Sequence, residues 1–186
     1  MRTDNPWTLL SSSVTYRNQW MTVREDAVIT PTGGRGIYGV VESNDSVMIA
    51  ALDAADALYL IRTFSYPAQQ WNWELPGGGG DGQEPLTAAA RELYEETGIA
   101  AQHWEQLGRT RVCNGLMTEH MAVCLARELS VVTEREVSDE QIDCGGFFSM
   151  QQVDEMVVAG EINDGQSITA IHLVQKWLTR NQLQGS

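Results

Sequence analysis

Glu92, Glu95 and Glu96 cluster in the sequence a short way after a run of glycines at positions 77 to 80. Glu92 and Glu96 are four apart, so on an α-helix both project from one side, with Glu95 beside them. Carboxylates at that spacing repel and weaken an isolated helix by about 0.2–0.5 kcal/mol per pair. A hard divalent cation removes that repulsion, and carboxylate oxygens suit magnesium or manganese. Such ions keep several waters and share the phosphates of a substrate, so the cluster points to phosphate chemistry. The plain alternative is a solvated acidic helix with no ligand.

The elements that must position these groups can be read outward from the cluster. Leu86, Ala89, Ala90 and Leu93 recur at helical spacing and predict an apolar stripe, leaving the three glutamates on an outer face. Pro85 suits the first helical turn, where a missing N–H costs nothing, and Gly98 is a stop signal before Ile99 resumes the core. Upstream, Trp7 to Val14 and Trp20 to Ile29 read as a hairpin, with a turn at Pro31 to Gly34. Tyr38 to Glu42, Val47 to Leu52 and Ala57 to Phe64 read as further strands, and Trp73 to Leu75 leads into the glycines. Downstream, Trp104 to Arg111, Met121 to Leu129 and Phe147-Phe148 read as strands, and Gln151 to Ala159 and Ser167 to Leu178 as helices. Strands mixed with helices imply an α/β or α+β sandwich.

Composition narrows the partners. The chain of 186 residues suits one domain with a small appendage. Its 12 basic and 25 acidic residues give a formal charge of −13, which argues against a nucleic-acid polymer, because such proteins carry a basic stripe. A small anionic substrate is compatible, since a bound cation inverts the local field. Cys113, Cys124 and Cys144 are odd in number and widely spaced, and are expected to be reduced, at least partly buried thiols. No signal-peptide pattern and no apolar run near the ~20 residues of a membrane span is seen. The expectation is a cytoplasmic protein with no membrane partner.

Residues 77 to 99 resemble the box of the Nudix hydrolases: Gly, five residues, Glu, seven residues, then Arg-Glu-apolar-X-Glu-Glu-X-Gly-apolar. Arg91, Glu92, Leu93, Glu95, Glu96, Gly98 and Ile99 fall in register, with Gly77 at the leading glycine. One position departs: the first glutamate falls on Gln83, and Glu84 is one residue late. A matched loop, helix and stop is far more specific than a lone glycine motif. YGVVES at 38 to 43, IRTFSYPAQQWNWELPGG at 61 to 78 and GEINDGQSITAI at 160 to 171 are similar to the ADP-ribose pyrophosphatase branch, so that nearly the whole chain is covered.

The resemblance implies a Nudix-type α/β/α sandwich with a mixed sheet at residues 43–186. It also implies an amino-terminal antiparallel β appendage at 1–42 that takes part in a homodimer. It implies magnesium, with manganese as substitute, held by Glu92, Glu95, Glu96 and a backbone carbonyl near Gly77. Arg62 and Glu74 are the implied substrate-binding residues, and Arg62 offers planar donors suited to phosphate. Trp71 and Trp73 either stack on a base or pack in a core or dimer seam. Asn114 to Glu119 resembles a loop whose glutamate lies four after the glycine, here Glu119, with Asn114 in place of proline. Residues 138 to 143 fall where the branch carries its acidic base, and Glu140 is our choice there; the plain alternative is a solvated acidic loop.

The implied reaction is hydrolysis of the pyrophosphate bond of a nucleoside diphosphate sugar to a nucleoside monophosphate and a sugar phosphate. Such a dianion repels hydroxide, so charge on its non-bridging oxygens must be cancelled and water delivered in line. Arg91 can reach Glu95 one turn on and hold it for the site. Two other readings compete: a nucleoside triphosphate or oxidised-nucleotide pyrophosphatase, and a catalytically weak ligand-binding regulator, at which only Gln83 hints.

Overall fold

The computed structural model describes residues 4–132 and 142–184. These form two compact units. The first comprises the stretch up to Asn44 together with Arg111–His120, and the second comprises Asp45–Thr110 and the chain from Met121 onward.

The first unit is an antiparallel sheet of β1 (Thr8–Arg17), β2 (Met21–Ile29) and β3 (Arg35–Ser43), in that order. The side-chain carbonyl of Asn18 accepts the N–H groups of Trp20 at 2.9 Å and Met21 at 2.8 Å, which turns the chain from β1 into β2. Gly33, at φ 87°, supplies the left-handed residue of the second turn. β3 begins three residues earlier than the Tyr38 expected from sequence. Its outer edge is taken by the 113–119 loop: Val41 N–H donates to the Leu116 carbonyl at 2.9 Å, and Thr118 N–H to the Val41 carbonyl at 3.0 Å. β1, the opposite edge, is exposed along its whole length.

The second unit contains β4 (Ser46–Ala51), β5 (Leu58–Ser65), β6 (Gln70–Glu74), β7 (Gly77–Gly79), β8 (Ile99–Arg111), β9 (His120–Val131) and β10 (Ile142–Phe148). Its helices are α1 (Pro85–Thr97), α2 (Met150–Ala159) and α3 (Gly165–Gln184). One sheet runs β10-β5-β6 and the other β7-β4-β9-β8. β4 and β9 pair in parallel, and both read as near-continuous apolar runs because both faces are covered. On one face Val47, Ile49 and Ala51 meet Ala88, Ala89 and Leu93 of α1; the alternate residues Met48 and Ala50 are also buried, and α3 packs on β4. A mixed sheet between helices is the sandwich anticipated from the sequence.

α1 starts at Pro85 and ends at Gly98, whose φ of 68° and N–H to the Tyr94 carbonyl make the left-handed cap. Its inward stripe differs from the sequence expectation: Ala88 is buried and Ala90 is exposed. Alanine at 88, 89 and 90 gives no size or polarity contrast from which the helix phase could be set. α2 carries a capping box between Ser149 and Gln152.

Candidate active site

The glycine run becomes β7, antiparallel to β4 with Gly77 opposite Met48 and Gly78 opposite Val47. A side chain is excluded there. A Cβ on Gly77 would lie 2.5 Å from the Val47 carbonyl oxygen, and one on Gly78 would lie 2.6 Å from the carboxyl carbon of Glu92. Glycine therefore lets bare backbone lie against the carboxylates of α1. Gly77 N–H donates to Glu96 Oε2 at 2.9 Å. Glu96 is only 4% exposed, which corrects the expectation of an outer-face cluster. It continues the inward line of Ala89 and Leu93, and a carboxylate buried there needs donors such as the Gly77 amide.

Arg91 organises the remaining groups. Its Nη1 bonds Glu95 Oε2 at 2.9 Å, the pair anticipated from the i,i+4 spacing, and its Nη2 lies 2.9 Å from Glu92 Oε1. The same Nη2 donates to the Gly79 carbonyl at 2.8 Å and pairs with Asp81 at 3.3 Å, while Nε donates to Gln83 Oε1 at 3.2 Å. Gln83, at the position that departs from the box, thus offers its side-chain carbonyl to Arg91. Partial burial works to lower the pKa of the Arg91 guanidinium, but the charges of Glu92 and Glu95 and their hydrogen bonds outweigh it and raise it above its ordinary value.

The donor set fits a hard cation. Glu92, Glu96 and the backbone of β7 offer only oxygen, and the glycines keep the space beside Glu92 free of side chains. Among the described residues no three His, Cys, Asp or Glu side chains converge as a closed cage.

The other anticipated residues do not all join this group. β5 and β6 pair Ile61 with Glu74 and Arg62 with Trp73, so strand alternation sends Glu74 and Arg62 to opposite faces. Glu74 shares its face with Thr63, whose hydroxyl donates to Glu74 Oε1 at 2.6 Å, and with Tyr59, which packs against the α1 core. On the other face, Arg62 lies 5.1 Å over Trp71 and pairs with Asp143 at 2.6 Å, and Trp73 meets Phe148 edge-on at 5.0 Å. Asp143 sits at a register shift between Ile142 and Cys144, and such bulges re-aim a side chain. Glu119, in the first unit, accepts from the Ser43 hydroxyl at 3.1 Å. Glu140 lies outside the described residues.

Thr63 and Ser43 were given no role by the sequence, Asp143 closes the 138–143 stretch where the resemblance puts the base, and the opposite facing of Arg62 and Glu74 could be known only once the turn between their strands was known. Cys124 is buried, as anticipated, but Cys113 and Cys144 are exposed, which corrects the expectation of three partly buried thiols. Burial pushes the Cys124 thiol up to about 11.

Residues 42–170 match the NUDIX domain, and residues 7–41 match the nucleoside diphosphate sugar hydrolase N-terminal domain. The chain is 31% identical over 171 residues to the ADP-ribose pyrophosphatase of Mycobacterium tuberculosis, covering 89% of this chain and 83% of that protein. It is 27% identical over 147 residues to the ADP-ribose pyrophosphatase of Bacillus subtilis, covering 78% of this chain and 80% of that protein. A crystal structure of an ADP compounds hydrolase has the same fold, with a TM-score of 0.85 over 97% of this chain and 98% of that one, at 21% identity. With its glycine strand, its buried Glu96 and a domain match over most of its length, the chain belongs to the Nudix family and is a pyrophosphohydrolase of the ADP-ribose pyrophosphatase-like branch.

Proposed function

We propose that the chain hydrolyses the pyrophosphate bond of an ADP-ribose-like nucleoside diphosphate sugar in a magnesium-dependent reaction. The observation that carries this reading is the clamp of Glu96 by the Gly77 amide, with Glu92 against the side-chain-free Gly78. Glu92 and Glu96 would hold the ion, with Glu95 near them and tied to Arg91. When bound, a divalent ion supplies charge neutralisation at phosphate oxygens and lowers the pKa of attacking water. Burial keeps Glu96 in one orientation, and Arg91 fixes the loop at Gly79 and Asp81, so the carboxylates are set before substrate arrives.

Glu140 is our choice of base to accept the proton from water. Of the proposed substrate residues Arg62, Glu74 and Trp73, Arg62 and Trp73 share one face, where Arg62 is engaged by Asp143 and Trp71 and Trp73 by Phe148, and Glu74 lies on the other, held by Thr63. The proposed working form is a homodimer. Among the described residues, no helix is long and apolar enough to cross a membrane.

A triphosphate or oxidised-nucleotide pyrophosphatase is the second reading. A 28-residue stretch is 75% identical to the RNA pyrophosphohydrolase of Bartonella quintana, but it covers 14% of this chain and 16% of that protein, whereas the ADP-ribose pyrophosphatase relatives match over most of the chain. Product masses decide between them. ADP-ribose, GDP-mannose and a nucleoside triphosphate are each incubated with the protein and magnesium. Nucleoside monophosphate and sugar phosphate from a nucleotide sugar support the proposal; turnover of the triphosphate alone overturns it.

A further inference from the structure

We propose that Ser167 is a positioning residue for the carboxylate site, acting through the backbone that delivers Gly77 to Glu96. The inference rests on the reading that Glu92 and Glu96 hold a divalent cation. Between Trp73 and Gly77 the chain leaves the β10-β5-β6 sheet and enters the other sheet as β7. Along this crossing it is tied to several different elements. Trp73 N–H donates to the Glu161 carbonyl at 3.0 Å, between α2 and α3. Leu75 N–H donates to Ser167 Oγ at 3.1 Å, in the first turn of α3. Pro76 has no N–H, and its carbonyl accepts from Ile49 of β4 at 2.8 Å; Gly77 N–H then reaches Glu96.

Leu75 is 1% exposed and Ser167 is fully buried, so water does not replace this bond. Asp164 in turn holds Ser167 in place, accepting from Ser167 N–H at 2.7 Å and from Gln166 N–H at 3.3 Å. Without the hydroxyl, the Leu75 amide is buried beside no acceptor, and the crossing moves to satisfy it. Gly77, two residues on, moves with it and loosens its hold on Glu96. The stretch GEINDGQSITAI thereby acquires a physical role, since it carries both anchors of the crossing, Glu161 and Ser167.

The test measures Mn²⁺ binding by electron paramagnetic resonance, together with amide exchange of the metal-free protein. Ser167→Ala should weaken Mn²⁺ binding about tenfold or more and raise the metal concentration for half-maximal turnover equally. It should also lower the exchange protection of the Gly77 amide in the absence of metal. Ser167→Thr, which keeps the hydroxyl, should recover most of the Mn²⁺ affinity. Val153→Ala, a core change in α2, should lower the melting temperature without changing Mn²⁺ affinity. Wild-type Mn²⁺ affinity or unchanged Gly77 protection in Ser167→Ala overturns the proposal, as does an equal loss of affinity in Val153→Ala. Glu96→Gln separates the two levels: if it binds Mn²⁺ as wild type does, the carboxylate reading itself fails and the proposal with it.

Discussion

Arg91 divides its guanidinium among Glu92, Glu95, Asp81, Gln83 and the Gly79 carbonyl, so one cation sets the loop and two of the three glutamates together. Glu92→Gln and Glu96→Gln should each lower turnover by about two orders of magnitude or more with the circular dichroism unchanged, since each removes a ligand charge. Rates near wild type in saturating magnesium would sink the assignment. Gln83→Glu belongs to a different class. The amide oxygen already accepts from Arg91, so the added charge should change kcat by no more than about threefold, with metal affinity equal or tighter. A wild type inert toward every nucleotide sugar, rescued by this substitution, would instead mark the chain as a silenced regulator. The glutamate cluster was legible because helical spacing alone puts 92, 95 and 96 together. The burial of Glu96 was not, because three neighbouring alanines conceal the phase of the helix.

At the scale of elements, the start and stop of α1 were legible from Pro85 and Gly98, whose backbone preferences are local. β7 was not. A run of glycines has little strand propensity, and this strand exists because the edge of β4 supplies its partners. The proposed site needs its bareness. Gly78→Ala should lower activity at least about tenfold, because a methyl 2.6 Å from the Glu92 carboxyl carbon forces that side chain to move. Melting temperature and Mn²⁺ affinity, measured together, check it: a fully active variant with wild-type metal binding would show that the close approach is dispensable. The opposite facing of Arg62 and Glu74 is also an element-scale fact. The two strands alternate independently until the turn between them, where Gln69 takes a φ of 54°, fixes their register.

Over the whole molecule, the formal charge of −13 opposes self-association, yet the first unit exposes Leu9, Val14, Tyr16, Trp20 and Ile37. The register puts Leu9 and Val14 on one face of this sheet and Tyr16 and Ile37 on the other, and apolar side chains left exposed on both faces are what the proposed symmetric pair would cover. Leu9→Asp combined with Ile37→Asp should give a monomer by light scattering, with loss of activity; a fully active monomer would overturn the proposed dimer. Cys124 adds a pH dependence. Its thiol is pushed from 9.0 up to about 11 by burial, so the unfolded chain loses this proton first. Stability should therefore fall as pH rises from 9.0 toward about 11, and urea titrations of Cys124→Ala should show a shallower fall. The parallel pairing of β4 with β9 carries a consequence in time. Gly77 and Glu96 are 19 positions apart, whereas Met48 and its partner Val123 are separated by 75. Closing the longer loop costs about 1 kcal/mol more in chain entropy, and contacts of long sequence separation form late. The carboxylate clamp is thus built from a contiguous folding segment, β4 through α1, which can assemble before β9 arrives to complete the sheet.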